Sequence, residues 1–364
     1  MRIPLVDVKA QYAPFLRELT ERLAEVVESG VFVLGPNVRA FEEEAAGFVG
    51  ARQAVGVANG TDALVLVLDA LGVGPGDEVV CPAFTFYATA EAIARRGATP
   101  VFADIDPATL NLDPADVERR VTSRTKAIVA VHLFGRMAPL DELPGGIPVV
   151  EDAAQAFGAS LDGWRAGSVG VAGTFSFYPT KNLFGLGDGG LVTTNDSGLA
   201  DRIRLLRFHG SRDKEQFEAI GYNSRLDEIQ AAALRLFLQH LDRWNDARRE
   251  AAARYAELGL GAACSLPEDE PGHVYHMYVV RTPERDRAAQ ALRDAGIACA
   301  SYYTTPLHLQ PALRYLGYRE GSLPETERAA AENLAVPLWA GIGREEQERV
   351  VTTIRSAVAV RTPS

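Results

Sequence analysis

Three short stretches carry residue types that can do covalent or acid–base chemistry at neutral pH. In FSFYPTKN (175–182) one lysine, Lys181, follows an apolar, strand-like run and a Tyr-Pro corner, with Ser176 five residues before it. Pro179 pushes Tyr178 toward extended backbone, so the run predicts a strand that ends in a sharp turn. An amine held where desolvation lowers its pKa becomes a nucleophile, and Schiff-base chemistry with a carbonyl is its usual task. For any single lysine the common alternative is a solvated surface side chain. In PVVEDAAQAFG (148–158) Asp152 ends an apolar run, and Gln155 follows three positions later. A carboxylate there needs a cationic or hydrogen-bonding partner. It reads either as a helix cap or as the partner of a cationic ring nitrogen. In ANGTDAL (58–64) a strand leads through Asn-Gly-Thr into a helix. The unpaired backbone N–H groups at that helix start and the positive end of the helix dipole form a ready phosphate site. Thr61 or Asp62 acting only as an N-cap accounts for the same residues.

Two further patterns are set aside. GLGDGG (185–190) fits G-x-G-x-x-G, but the residues after it, LVTTN, read as a strand where a dinucleotide fingerprint requires a helix. Its four glycines instead let the backbone turn tightly or approach a ligand. In HVYHM, His273 and His276 are three apart; on a strand they face opposite sides, and no acidic or cysteine cluster accompanies them. They read as core residues, and no metal site is expected.

From about residue 54 the chain alternates short apolar runs (AVGVAN, EVVCPA, TPVFADID, KAIVAVHLFG, IPVVEDAA, GTFSFYPT) with amphipathic stretches. That alternation predicts an α/β fold with a largely parallel sheet covered on both faces. Ligands of such sheets sit at the carboxyl ends of the strands, where Asn59, Asp104, His132, Asp152 and Tyr178 fall. From about residue 226 a long Ala/Leu-rich periodic stretch predicts one helix or two joined. Strands (VYHMYVVRT), a helix (RDRAAQALRDAG), a strand-like IACASYY and a closing helix follow. The expected division is a large domain over 1–244 and a small α+β domain over 245–364, with the boundary inside the long helix and residues 1–20 packed on the small domain.

The 364 residues suffice for a large core, and 37 basic against 48 acidic residues give a net charge of −11. This balance argues against a broad nucleic-acid footprint or a basic membrane face. Cys81, Cys264 and Cys299 are sparse and widely spaced, as in a reducing compartment. The opening MRIPLVDVKAQYAPF does not resemble a signal peptide, and no stretch reaches the length of a membrane span. A cytoplasmic protein is expected.

In chain order, PLVDVKAQY, GVFVLGPNVRAFEEEAAGFVG, VANGTDAL, PAFTFYATAEAI, VEDAAQAFGA, FSFYPTKN, GDGG, GYNSRLDEIQAA, YYTTPLHLQPA and AVPLWAGI form one set. Nearly end to end, this set resembles the DegT/StrS-type sugar aminotransferases, pyridoxal-phosphate (PLP) enzymes of the aspartate-aminotransferase fold (fold type I). The resemblance implies a large domain with a mostly parallel seven-stranded sheet sandwiched by helices, and a smaller C-terminal α+β domain. It makes Lys181 the residue that holds pyridoxal 5'-phosphate as a Schiff base and later shuttles a proton. Asp152 becomes the carboxylate facing the pyridine nitrogen, Gln155 a neighbour of the ring hydroxyl, and Phe86 the aromatic stacked on the ring. Gly60, Thr61 and Ser176 would bind the phosphate. Asn223 would reach the phosphate of a second subunit, which implies a homodimer with composite sites. Tyr178, Tyr303 and His308 are the implied substrate contacts.

The implied reaction moves an amino group from L-glutamate to a keto sugar, linked to dTDP or UDP and aminated at carbon 3 or 4. Lysine at position 181, where some relatives carry histidine and remove a hydroxyl, favours aminotransfer. Phe134, in VHLFGRMAPL, stands where many relatives have tyrosine, and Pro139-Leu140 where they have an acidic-hydrophobic pair, so sugar specificity does not transfer from any one relative. A cyclitol ketone substrate, or a PLP-binding regulatory protein without turnover, are the alternatives. A nicotinamide oxidoreductase rests on GLGDGG alone.

Overall fold

A computed structural model describes residues 2–359. Its strands are β1 (Gln53–Val57), β2 (Glu78–Pro82), β3 (Thr99–Ala103), β4 (Thr125–Val131), β5 (Val149–Asp152), β6 (Ser160–Leu161), β7 (Trp164–Arg165), β8 (Ala172–Ser176), β9 (Gly190–Thr194), β10 (Tyr278–Arg281) and β11 (Asn333–Val336). Seven of them form one sheet in the order β1-β9-β8-β5-β4-β2-β3. The pairs from β8 through β5, β4 and β2 to β3 are parallel, whereas β9 runs antiparallel to both β8 and β1.

These strands are nearly continuous apolar runs because both faces of the sheet are covered. Alternate residues go to opposite sides. Val55, Val57, Ala172 and Val192 pack under the helices Gly60–Ala70, Ala88–Arg95 and Ser197–Arg207. Ala54, Phe175 and Leu191 pack under Pro36–Val49 and Glu228–Leu238. The last two helices are tied at their ends: the buried carboxylate of Glu228 accepts hydrogen bonds from the Asn37 and Val38 N–H groups at 2.8 Å each. These are orphan donors of a helix N-terminus that begins at a proline and lacks a side-chain cap of its own.

The long Ala/Leu-rich stretch is two helices, Glu228–Leu238 and Leu241–Glu257. The second passes between cores. Leu241 and Trp244 pack with the large sheet, while Ala251, Ala252 and Tyr255 pack with the antiparallel pair β10–β11 and the helices Arg285–Asp294 and Arg344–Ala359. Ile3 lies in this second core and its N–H donates to the Gly296 carbonyl at 3.1 Å.

Four local expectations give way. VYHMYVVRT is a strand only over Tyr278–Arg281, and residues before it are irregular, with Tyr275 at φ 43. IACASYY forms only isolated bridges, Ile297 to Ile3 and Ala300 to Ala335. Asp104 does not face a ligand site: it accepts from the Glu325 and Thr326 N–H groups at 3.0 and 2.7 Å, capping the helix Pro324–Glu332. His132 is fully buried. Its Nδ1 accepts from the Ala138 N–H at 3.0 Å, so Nε2 carries the proton it shares with Glu151 at 2.8 Å. Burial would raise the Glu151 pKa, but His132 and the Gly167 and Gly170 N–H groups hold it below the usual carboxylate range. Among the described residues no helix is long and apolar enough to cross a membrane, and no group of three or more His, Cys, Asp and Glu side chains is placed to hold a metal ion.

Candidate active site

A cavity of about 970 Å³ opens at the carboxyl ends of β1, β2, β5 and β8. Its size is at the upper end of the ~300–1,000 Å³ typical of ligand pockets. Gly60, Thr61, Phe86, Asp152, Gln155, Ser176, Tyr178, Lys181 and Tyr303 all line it. Residues scattered over some 240 positions of sequence meet here because each follows the end of a strand or a loop beside it.

Lys181 is placed by a turn. After β8 the chain runs Tyr178-Pro179-Thr180-Lys181, closed by the Lys181 N–H donating to the Tyr178 carbonyl at 2.8 Å. Pro179 stands at the second turn position, where its fixed φ is favourable. Asn182, buried next to it, donates to Asn245 Oδ1 and to the Val274 carbonyl at 2.8 Å each, anchoring the turn to the helix Leu241–Glu257. Burial lowers the Lys181 amine to about 8, against the opposing pull of the Asp152 charge.

Asp152 ends β5. Its Oδ2 accepts from the Thr89 hydroxyl at 2.8 Å and its Oδ1 from the Ala154 N–H at 3.3 Å, so the carboxylate has a fixed orientation. Burial raises its pKa; Thr89, the Ala154 N–H and the Lys181 charge act in the opposite direction. A second cation would complete the stabilisation of this carboxylate. Gln155 is oriented from both ends: its Oε1 accepts from the Phe134 N–H at 2.8 Å and its Nε2 donates to the Tyr303 hydroxyl at 3.1 Å. Burial raises the Tyr303 pKa, so its phenol stays protonated. Phe86 is 58 % exposed on the cavity wall, its ring 6.2 Å from that of Tyr303.

The phosphate cradle lies at the start of the helix Gly60–Ala70. Asn59 caps it, its side chain accepting from the Asp62 N–H at 2.8 Å, which leaves the N–H groups of Gly60 and Thr61 for an anion. A Cβ on Gly60 would lie 2.8 Å from the Cβ of Ser176, so glycine is what lets β8 deliver that hydroxyl beside the helix end. Gly190 has the same function: a Cβ there would lie 2.4 Å from the backbone of Asn59. None of the four glycines in GLGDGG has a positive φ. They serve close approach, and Gly190 opens β9, which excludes the dinucleotide fingerprint.

Two expected residues are elsewhere. His308 is 1 % exposed and away from the cavity; its ring Nε2 pairs with Glu327 Oε1 at 3.0 Å, so the predicted substrate contact is replaced by a packing role. Asn223 is exposed, outside this subunit's cavity, with its side-chain oxygen accepting from Arg225 and its backbone bridged to Phe208. Thr89 and His276 were missed in the sequence. Thr89 sits in the first turn of the helix Ala88–Arg95 and reaches Asp152 from there, a long-range pairing that FTFYAT does not signal. His276 lines the cavity, whereas its reading as a packed strand residue rested on a strand that begins only at Tyr278.

The residues fit pyridoxal 5'-phosphate: an N–H cradle that tolerates no Cβ, a buried carboxylate lacking a full cationic partner, and an amine poised to react. This places the protein among aminotransferase-type α/β folds that use a B6 cofactor. Residues 16–355 match the model of the DegT/DnrJ/EryC1/StrS aminotransferase family, and the chain belongs to that family. It is 47% identical to a pleiotropic regulatory protein of Geobacillus stearothermophilus over 97% of this chain and 98% of the relative. It is 43% identical to the UDP-N-acetyl-3-dehydro-alpha-D-glucosamine 3-aminotransferase of Acidithiobacillus ferrooxidans, over 97% of each. A crystal structure of S. venezuelae DesV in complex with a ketimine intermediate superposes with a TM-score of 0.95 at 43% identity, covering 100% of both chains.

Proposed function

We propose that this chain transfers the amino group of L-glutamate to a nucleotide-linked keto sugar, carried by dTDP or UDP, in amino-sugar biosynthesis in the cytoplasm. The observation that carries the reading is the juxtaposition, in one cavity, of a desolvated amine, an oriented carboxylate and an N–H cradle. The A. ferrooxidans relative is named for amination at carbon 3 of a UDP sugar, and that carbon is favoured here.

Bound in the cavity, the cofactor supplies an electron-withdrawing ring and a carbon that carries the amino group between substrates. Lys181 would hold it and, once its amine is free, move a proton at Nζ. Asp152 would keep the ring nitrogen protonated through a charge-assisted hydrogen bond. Gly60, Thr61 and Ser176 would donate to its phosphate, Gln155 would meet the ring hydroxyl, and Phe86 would cover one ring face. Tyr178 and Tyr303 would line the sugar's path. Holding these groups in one geometry makes each proton transfer effectively intramolecular. We place Asn223 in the site of a partner subunit in a homodimer, in keeping with its exposed position outside its own cavity. The same reading divides the chain near residue 244, inside the helix Leu241–Glu257.

A regulatory protein without turnover is the second reading, favoured by the name of the G. stearothermophilus relative. The test is a panel of dTDP- and UDP-linked keto sugars incubated with glutamate and the purified protein, with products read by mass and NMR. Amino-sugar product and parallel double-reciprocal lines are expected. Cofactor absorbance that glutamate leaves unchanged would support the regulatory reading, and intersecting lines would exclude the two-stage scheme.

A further inference from the structure

His276 lines the cavity alongside Lys181, yet it is 2 % exposed, and its Nδ1 is sealed from solvent without a hydrogen-bond partner. Nε2 is therefore the ring nitrogen left to meet a ligand. The segment that carries it is clamped. Asn182 donates to the Val274 carbonyl at 2.8 Å, Arg248 donates to the Tyr275 carbonyl at 3.2 Å, and a Cβ on Gly135 would lie 2.9 Å from the backbone nitrogen of His276.

Arg248 is itself 1 % exposed, with its Nε and Nη2 unpartnered. A guanidinium offers only donors. A donor-only guanidinium cannot accept from an N–H on the sealed Nδ1, and a buried N–H left without an acceptor is rarer than a buried acceptor left without a donor, so the sealed Nδ1 is the lone-pair nitrogen. The neutral imidazole then carries its proton on Nε2. Burial first, then the Lys181 and Arg248 charges, holds the ring well below its ordinary pKa, so it stays neutral.

Resting on the aminotransfer reading above, we propose that His276 is a further catalytic residue, a neutral imidazole whose Nε2–H donates a hydrogen bond to the substrate carbonyl oxygen as charge builds on it. When an amine adds to a ketone, the C–N bond forms and the C=O π pair moves to oxygen. That oxygen leaves as water with two protons that began on the amine. His276 stabilises the charged oxygen and keeps its own proton, the electrophilic use of a neutral histidine. Both half-reactions contain such a carbonyl, one in the keto acid and one in the keto sugar.

The experiment uses the holoenzyme labelled with ¹⁵N-histidine, with His276→Gln to assign the signal. Expected is a neutral ring protonated at Nε2 from about pH 6 to about pH 9; a proton on Nδ1, or titration near the usual histidine pKa, overturns the proposal. In kinetics, His276→Leu slows both half-reactions about 100-fold, the size of one lost oxyanion donor, while cofactor absorbance and affinity stay at wild-type values. His276→Gln, which keeps an N–H near the position of Nε2, restores most of the rate, and His276→Asn does not. Equal rates for His276→Leu and wild type overturn it. A wild-type enzyme that aminates no keto sugar overturns the parent reading instead, and the measured tautomer still decides whether His276 presents a donor.

Discussion

The Lys181 amine is subject to two opposing effects. Desolvation drives it toward the neutral form, to about 8, while the Asp152 carboxylate favours the charged form. Below pH 8 the folded apoenzyme holds a protonated amine, and above it a free nucleophile. The rate at which apoenzyme captures pyridoxal phosphate should therefore rise about tenfold per pH unit and level off near pH 8. An ordinary lysine would keep rising toward pH 10.5, and stopped-flow absorbance distinguishes the two. Strand ends and the Tyr-Pro corner marked Lys181 and Asp152 as candidates beside their plainer readings, and the family resemblance supplied their roles and that of Gln155; the three line one cavity. His308 was not legible in the sequence, because its partner Glu327 comes from a different helix. A histidine in a polar-aromatic loop looks the same whether it faces a pocket or a buried carboxylate.

At the level of elements, the phosphate cradle depends on three backbones packed without side chains between them. Gly190→Ala would press a Cβ against Asn59, where backbone cannot yield as a flexible side chain can. The expected cost is about 1–3 kcal/mol of overpacking, seen as a lower Tm and at least tenfold weaker cofactor binding by absorbance titration. Gly47→Ala is the control: nothing lies within 4 Å of a Cβ there, and alanine in the helix Pro36–Val49 should stabilise by about 0.5–1 kcal/mol. If the two variants behave alike, close approach is not the reason for glycine at 190. The alternation of apolar runs predicted β1 to β5, β8 and β9 correctly in kind. It failed at residues 273–277 and in IACASYY, where apolar residues are buried in irregular chain against the turn at Gly135 and the N-terminal segment.

For the whole molecule, one subunit leaves Phe32, Leu186, Phe217 and Ile220 exposed, the last at 95 %. They are four of several exposed large apolar side chains, and the proposed homodimer is expected to cover part of that surface. In the proposed homodimer, Asn223 serves the neighbour's site. Co-expressed Lys181→Ala and Asn223→Ala subunits should then form heterodimers with one site of wild-type cofactor affinity, since the intact Lys181 meets the intact Asn223 across the interface. Heterodimers in which that site binds as weakly as the Asn223→Ala homodimer would place Asn223 in its own subunit's site. Sedimentation of the wild type that shows a single subunit would exclude the composite arrangement altogether.

The sequence by itself determined the fold class and which residues could do chemistry, since apolar periodicity and turn residues are local properties; the family showed only as a resemblance of many short motifs in chain order. It could not decide between paired readings of a polar residue: cap or ligand, core or cavity. Asp104 and His132 resolved to structural partners, Asp152 and His276 to the cavity. That choice depends on which groups from distant segments fill the space around each side chain, and only the packed chain fixes where they lie.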